Sequence, residues 1–218
     1  MTVVWPDDSV TEGVRSLEVR WILRGPLEDA VAGWFGRFPA ETESREDLYL
    51  RDPDMRGLSV KVRAGEAFEV KVYQGSPGIL DVPGRARGRL QSWRKWSFPF
   101  RPLGQVSTDL AAWRPVGKRR RITQFSRASG QFVADPGRAE DAGCAVELTE
   151  VRVGDEAWWS LGFEATGPAS LLRSELEGAA ALVFAQPLPR AAALSQDDSR
   201  SYADWLSQRP DAGREATA

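Results

Sequence analysis

Lysine, arginine and glutamate recur at every second position in several strand-like runs of this chain. Side chains of those types, brought together, bind phosphate oxygens or hold a divalent cation. In Leu58-Ser59-Val60-Lys61-Val62-Arg63 the apolar residues take one parity, and Ser59, Lys61 and Arg63 take the other. That is the period-two signature of a strand with unlike faces. Glu69-Val70-Lys71-Val72 sets Lys71 opposite the valines, and Ser16-Leu17-Glu18-Val19-Arg20-Trp21 puts Ser16, Glu18 and Arg20 on one face. Ala145-Val146-Glu147-Leu148-Thr149 and Trp158-Trp159-Ser160-Leu161-Gly162-Phe163-Glu164 repeat the scheme with acids. Such strands describe a barrel with a charged interior. Cations that converge on one cavity repel each other unless an anion occupies it. A bound polyanion, with a metal held by the acids, resolves that repulsion.

The elements that must position these residues follow from the same patterns. The first strand runs from about Val14 to Leu23, and Pro26 to about Phe38 has helical spacing with an early acidic pair. Further strands are expected at Glu46 to Leu50, Leu58 to Arg63, Phe68 to Tyr73, Arg89 to Phe98, Arg119 to Ser126, Ala142 to Val153 and Ala157 to Thr166. Gln74 to Gly84 reads as a Gly/Pro loop, and Arg85, Arg87 and Arg89 as a mobile basic loop. Ala169 to Phe184 and Ser201 to Leu206 read as amphipathic helices. The apolar partners Val60, Val62, Val70 and Val72 are expected to pack beneath these helices. The expected fold is therefore mainly β with flanking helices (α+β), an antiparallel β-barrel or tunnel. It forms one domain over residues 1–209, with a disordered tail at 210–218.

Composition narrows the chemistry. The chain of 218 residues has no histidine, which removes the usual general base, the common zinc nitrogen ligand and every triad that depends on imidazole. The lone Cys144 reads as a small apolar residue. The formal charge of -2 hides an asymmetry, because Arg85 to Arg127 holds twelve basic residues and one acid, Asp109. Such a stretch suggests an anionic partner. No N-terminal apolar run resembles a signal peptide, and no segment approaches the roughly 20 apolar residues of a membrane span. A cytoplasmic protein without a membrane partner is the expectation.

Read in order, the charged positions resemble the CYTH domain, the fold of the triphosphate tunnel metalloenzymes. The resemblance runs from about Val14 to Leu206. The family's opening Glu-x-Glu-x-Lys strand matches Ser16-Leu17-Glu18-Val19-Arg20, with only the second glutamate and with arginine for lysine. Its paired basic strand, turn and lysine strand match Lys61-x-Arg63 and Glu69-Val70-Lys71, and its later basic strand matches Lys118-Arg119-Arg120-Arg121. The acidic strands match Val146-Glu147-Leu148-Thr149-Glu150 and Gly162-Phe163-Glu164, the last again with only its second glutamate.

The resemblance implies that Arg20, Lys61, Arg63, Lys71, Lys118 and Arg120 bind a triphosphate. It implies that Glu18, Glu147 and Glu164 hold Mg²⁺ or Mn²⁺, with Glu18, Lys71 and Glu164 carrying catalysis. Glu150 has the opposite parity to Glu147 unless a bulge intervenes. The implied activity is metal-dependent hydrolysis of a triphosphate-bearing or polyphosphate small molecule. The alternative is a phosphate-ligand binding module, catalytically depleted because Ser16 and Gly162 stand where acids are expected. A third reading is a nucleic-acid-binding protein using the Arg85 to Arg127 region. For any one strand alone, alternating basic residues describe a solvated sheet face, and Ser16, Ser59 and Ser160 read as small polar lining.

Overall fold

The computed structural model describes residues 13–51, 54, 57–99, 112–128, 131–134, 142–189 and 194–208. Along these the chain forms β1 (Val14–Arg24), α1 (Asp29–Phe35), β2 (Glu41–Leu50), β3 (Leu58–Arg63), β4 (Ala67–Val82), β5 (Ala86–Pro99), β6 (Trp113–Ala128), β7 (Gln131–Ala134), β8 (Gly143–Val153), β9 (Glu156–Thr166), α2 (Leu172–Val183) and α3 (Tyr202–Ser207). A single turn of 3₁₀ helix, Gln196–Asp198, precedes α3. The strands follow one another in the order β2-β3-β4-β5-β1-β9-β8-β6, and β6 pairs back onto β2 from Glu41↔Ile122 to Leu50↔Trp113. Eight antiparallel strands therefore close into a barrel, while β7 hairpins onto the far end of β6. Closure leaves the ring without an unpaired edge.

Alternation along the strands creates two apolar regions. On the outer wall Leu17, Val19, Trp21, Leu161 and Phe163 pack against Leu176, Ala179 and Val183 of α2 and against Val31 and Phe35 of α1. Trp21 fits because Gly88 lies against it: a Cβ at that position would stand 2.6 Å from both Trp21 and Val19. The second region lies at one end of the inner wall. There Ile22, Tyr49, Val116, Val151 and Val153 pack against Tyr202, Trp205 and Leu206, so that α3 plugs that end. Ser201 accepts the Asp204 N–H at the start of this helix, and the preceding segment is tied down where Arg200 N–H donates to the Arg20 carbonyl at 3.0 Å. The two adjacent tryptophans divide as alternation requires. Trp159 enters the outer core, and Trp158 meets Trp205 edge-on at 5.1 Å.

Several expectations are corrected. Strand β2 begins at Glu41 rather than Glu46, which brings Glu43 and Arg45 onto the inner wall. Gln74 to Gly84 is not a loop: β4 continues to Val82, absorbing register shifts at Gly75 and Gly78, whose φ angles of 129° and 125° suit glycine. Arg87 and Arg89 lie on β5, exposed, rather than in a mobile loop. The short strand β7 was not foreseen. The valines of β3 and β4 do not lie under helices, because α2 packs on the β1, β8 and β9 side. Val62 is buried, whereas Val60, Val70 and Val72 are half-buried. The expected tail lies outside the described residues. Among the described residues no helix is long and apolar enough to cross a membrane.

Leu176 is fully buried between α2 and the barrel. Leu176→Ala is expected to lower the unfolding free energy by about 2–5 kcal/mol, and Val60→Ala by under about 1 kcal/mol. Urea denaturation measures both, and equal losses would contradict the two-sided wall.

Candidate functional site

The inner wall brings Glu18 and Arg20 (β1), Lys61 (β3), Lys71 (β4), Lys118 and Arg120 (β6), Glu147 (β8) and Glu164 (β9) to one cavity of about 90 Å³. Arg63 stands at the rim away from α3. Its side chain is 42% exposed, against 3% for Lys118 next to the plug. Among the described residues the barrel thus has an open end, edged by Arg63, Glu43, Lys95 and Glu164, and an end blocked by α3.

Three interlocked groups fill the interior. In the first, Glu18 and Glu164 stand opposite each other across β1 and β9 and share the Lys71 ammonium, at 2.7 and 3.2 Å. Lys95 approaches Glu164 at 3.6 Å, and Ser16 donates to Glu18 at 2.6 Å. Burial alone would raise the Glu164 carboxyl, but Lys71 and Lys95 outweigh it and hold it well below the carboxylate range. Burial likewise opposes the Lys71 ammonium, yet Glu164 and Glu18 hold it protonated. In the second group Glu147 accepts from Arg20 at 3.2 Å, from Arg120 Nε at 2.9 Å and from Thr149 at 2.6 Å, and Arg120 also reaches Glu43 at 2.6 Å. Arg20 and Arg120 overcome the burial that would otherwise raise the Glu147 carboxyl and keep it ionised.

The third group centres on Asp47, with Glu43 also reaching Arg45 and Glu69 also reaching Lys61, each at 2.9 Å. Asp47 meets Arg45 at 3.0 Å, Lys118 at 3.0 Å and Lys61 at 3.4 Å, and it is fully buried. Burial is overcome at Asp47, which stays ionised. Lys118, the most deeply buried of the three cations, is pushed well below the ordinary lysine range by burial and by Lys61. Tyr49 accepts from Lys118 at 2.7 Å, and the Tyr202 ring lies 4.0 Å from its ammonium. With Arg63 and Glu69 counted beside the three groups, eight cations face six carboxylates along the described inner wall.

The acids assigned to a divalent metal are already occupied. Mg²⁺ requires near-octahedral oxygen coordination, yet Glu147 is turned to two guanidinium groups while Glu18 and Glu164 are turned to an ammonium. Among the described residues no three carboxylates come together as a metal-ligand cluster. Glu150 points outward, against Arg119 and Arg121, so no bulge carries it inside. The donor set as arranged does not fit the metal.

Several inner residues were missed by the sequence reading. Glu43-x-Arg45-x-Asp47-x-Tyr49 alternates as plainly as the basic strands, but starting the strand at Glu46 cut it in half. Glu69, which pairs with Lys61 at 2.9 Å, shares the parity of Lys71, and Lys95 stands opposite Lys71 in register. Only Tyr202 lacks a local signal, because a helix carries it into the barrel. The serines behave as expected: Ser160 lies between Arg20, at 3.1 Å, and Tyr202, at 3.0 Å.

No protein-family model matches this chain, and no curated protein matches it. Solved structures do. A Pyrococcus horikoshii protein aligns with a TM-score of 0.42 at 16% identity, over 87% of this chain and 99% of that one. A putative adenylyl cyclase from Hippeastrum, described as having a dominant triphosphatase activity, gives 0.40 at 12% identity over 81% and 92%. An S. pombe RNA triphosphatase gives 0.38 at 11% identity over 79% and 78%. At scores this low, function has to be read from the interior of the barrel itself.

Glu147, Glu164 and Asp47 are all held below the ordinary carboxylate pKa of about 4. Their contribution to stability is complete above that pH and is lost as the pH falls towards their depressed folded values. Acid titration of the unfolding free energy is expected to decline below about pH 4. Glu147→Gln is expected to cost about 3–5 kcal/mol at pH 7, by taking the carboxylate from the Arg20 guanidinium and leaving Arg120 with Glu43, and to flatten the decline. A variant as stable as the parent chain would contradict the pairing.

Proposed function

We propose that the barrel binds a short polyanion, a triphosphate-bearing or polyphosphate ligand, along its basic inner wall. The observation that carries this is the excess of cations over carboxylates in one narrow interior, eight against six along the described inner wall. Like charges held out of water raise each other's energy, and an entering anion relieves it. Arg63, Lys95, Lys71 and Arg120 line the way in from the mouth and supply charge-assisted hydrogen bonds to phosphate oxygens. The cavity of about 90 Å³ equals the share of about three waters. A ligand therefore enters by taking cations away from their internal carboxylates.

Metal-dependent phosphohydrolysis with Mg²⁺ or Mn²⁺ is the second reading; it requires Lys71 to release the facing pair Glu18 and Glu164. The nucleic-acid reading finds less support. Lys95, Lys118 and Arg120 of the basic stretch face inward, and Arg87, Arg119 and Arg121 are paired with acids.

Calorimetric titration with tripolyphosphate, with and without Mg²⁺, tests the proposal. Binding is expected without metal, and Arg63→Ala is expected to weaken it by about 1.5–3 kcal/mol. Absence of binding under both conditions would overturn the reading. Mg²⁺-dependent phosphate release that is lost in Glu164→Gln would establish hydrolysis.

A further inference from the structure

Lys118 has less carboxylate to itself than its neighbours on the inner wall. Its Nζ donates to Asp47 Oδ2 at 3.0 Å, the same oxygen that Lys61 approaches at 3.4 Å, while Arg45 lies 3.0 Å from Oδ1. Arg45 also has Glu43 and Lys61 also has Glu69, each at 2.9 Å. Among the described residues Lys118 pairs with Asp47 alone. Water does not make up the difference, because the side chain is buried beneath Tyr202 of the plug, whose ring lies 4.0 Å from Nζ.

The groups that face Lys118 are Asp47 and Tyr49 from β2, Lys61 from β3, Glu147 from β8 and Tyr202 from α3. Glu147 is already taken by Arg20 and Arg120. Burial and the Lys61 ammonium both oppose a charge here, and they outweigh Asp47 and Glu147. The Tyr49 hydroxyl, 2.7 Å from Nζ, fits either state of the lysine. It accepts from an ammonium, and by turning its hydrogen it donates to the lone pair of a neutral amine. Burial keeps this phenol protonated, so that hydrogen is present. Lys118 also lines the charged cavity, where the charge of an entering ligand is felt.

We propose that Lys118 is a neutral amine while the interior is empty and is protonated when a polyanion enters, so that binding is coupled to the uptake of a proton. The inference rests on the polyanion reading and adds control by pH to it. In the empty barrel a neutral Lys118 lessens the excess of cations along the wall. An anion in the cavity supplies the negative charge that Asp47 cannot, and the amine takes its proton back. The protonated form belongs to the complex, so affinity is fully present at low pH and is lost as the pH rises. From the depressed value of the empty barrel up towards the ordinary lysine value of about 10.4, this coupling lowers the association constant about tenfold per unit of pH.

Calorimetric titration of the full chain with tripolyphosphate at about pH 8, repeated in buffers of differing ionisation enthalpy, counts the protons taken up. Tripolyphosphate titrates as well, so the count is read against Lys118→Met, which keeps the length of the side chain and removes the amine. The parent chain is expected to take up about one proton more per ligand bound than this variant. Lys61→Met removes the neighbouring cation that opposes charge on Lys118, and it guards against a folding defect in the first variant. It is expected to shrink the uptake. In the empty chain, the Cε chemical shifts followed by NMR are expected to show a lysine titrating well below the rest, and Lys118→Met to lack it. Equal proton counts in the parent and both variants, or no such lysine in the empty chain, would overturn the coupling and leave the polyanion reading standing. Failure of tripolyphosphate to bind would overturn both.

Discussion

A charged inner wall can close into a barrel only if each carboxylate taken out of water meets a cation, because an unpaired ion in a low-dielectric interior costs several kcal/mol. Here that pairing reaches across the ring rather than along single strands. Glu147 on β8 holds Arg20 from β1 and Arg120 from β6, and Lys71 on β4 joins Glu18 on β1 to Glu164 on β9. The pairs therefore fix which strand faces which, as well as the charge balance. A slip of one residue in any of these strands would turn its charged set outward, for β1, β8 and β9 into the helix-covered core, and its apolar set inward.

The fold was legible because alternation is a local signal. Leu58 to Arg63 and Ser16 to Trp21 each declare two faces within six residues, and the structure keeps both parities. What was not legible depended on contacts between distant parts of the chain. Gln74 to Gly84 carries loop composition, yet β5 pairs with this stretch as far as Val82 across two register shifts, and the ladder overrides the glycines. Whether the outer valines of β3 and β4 were covered depended on which side α2 docks, and strand patterns do not encode that.

The interior was half legible for a related reason. Sequence reasoning identified the basic wall and three of its acids, and it inferred unrelieved repulsion. Glu43, Asp47 and Glu69 relieve much of it. Their parity marks them, but the expected start at Glu46 left Glu43 outside β2 and cut the alternation that Asp47 continues. Glu150 follows its parity: one step from Thr149, it lies outside and pairs with Arg119.

Arg20 and Gly162 are two departures from the resembled family pattern, and the structure joins them in one arrangement. A Cβ on Gly162 would stand 2.5 Å from the Arg20 guanidinium carbon, so the space next to the β9 backbone is already filled by a cation. That guanidinium bonds Glu147 and Ser160 and lies 4.9 Å from the Tyr202 ring of the plug. Burial works against it, but Glu147 more than compensates and keeps it charged. An acid at 162 would need this space for its own side chain, which the guanidinium takes while donating from Nη1 to both Glu147 and Ser160. The arginine, the glycine and the plug tyrosine thus depend on one another. Together they build a fixed internal cation where the acidic strands converge, and the carboxylates there are neutralised by the chain itself.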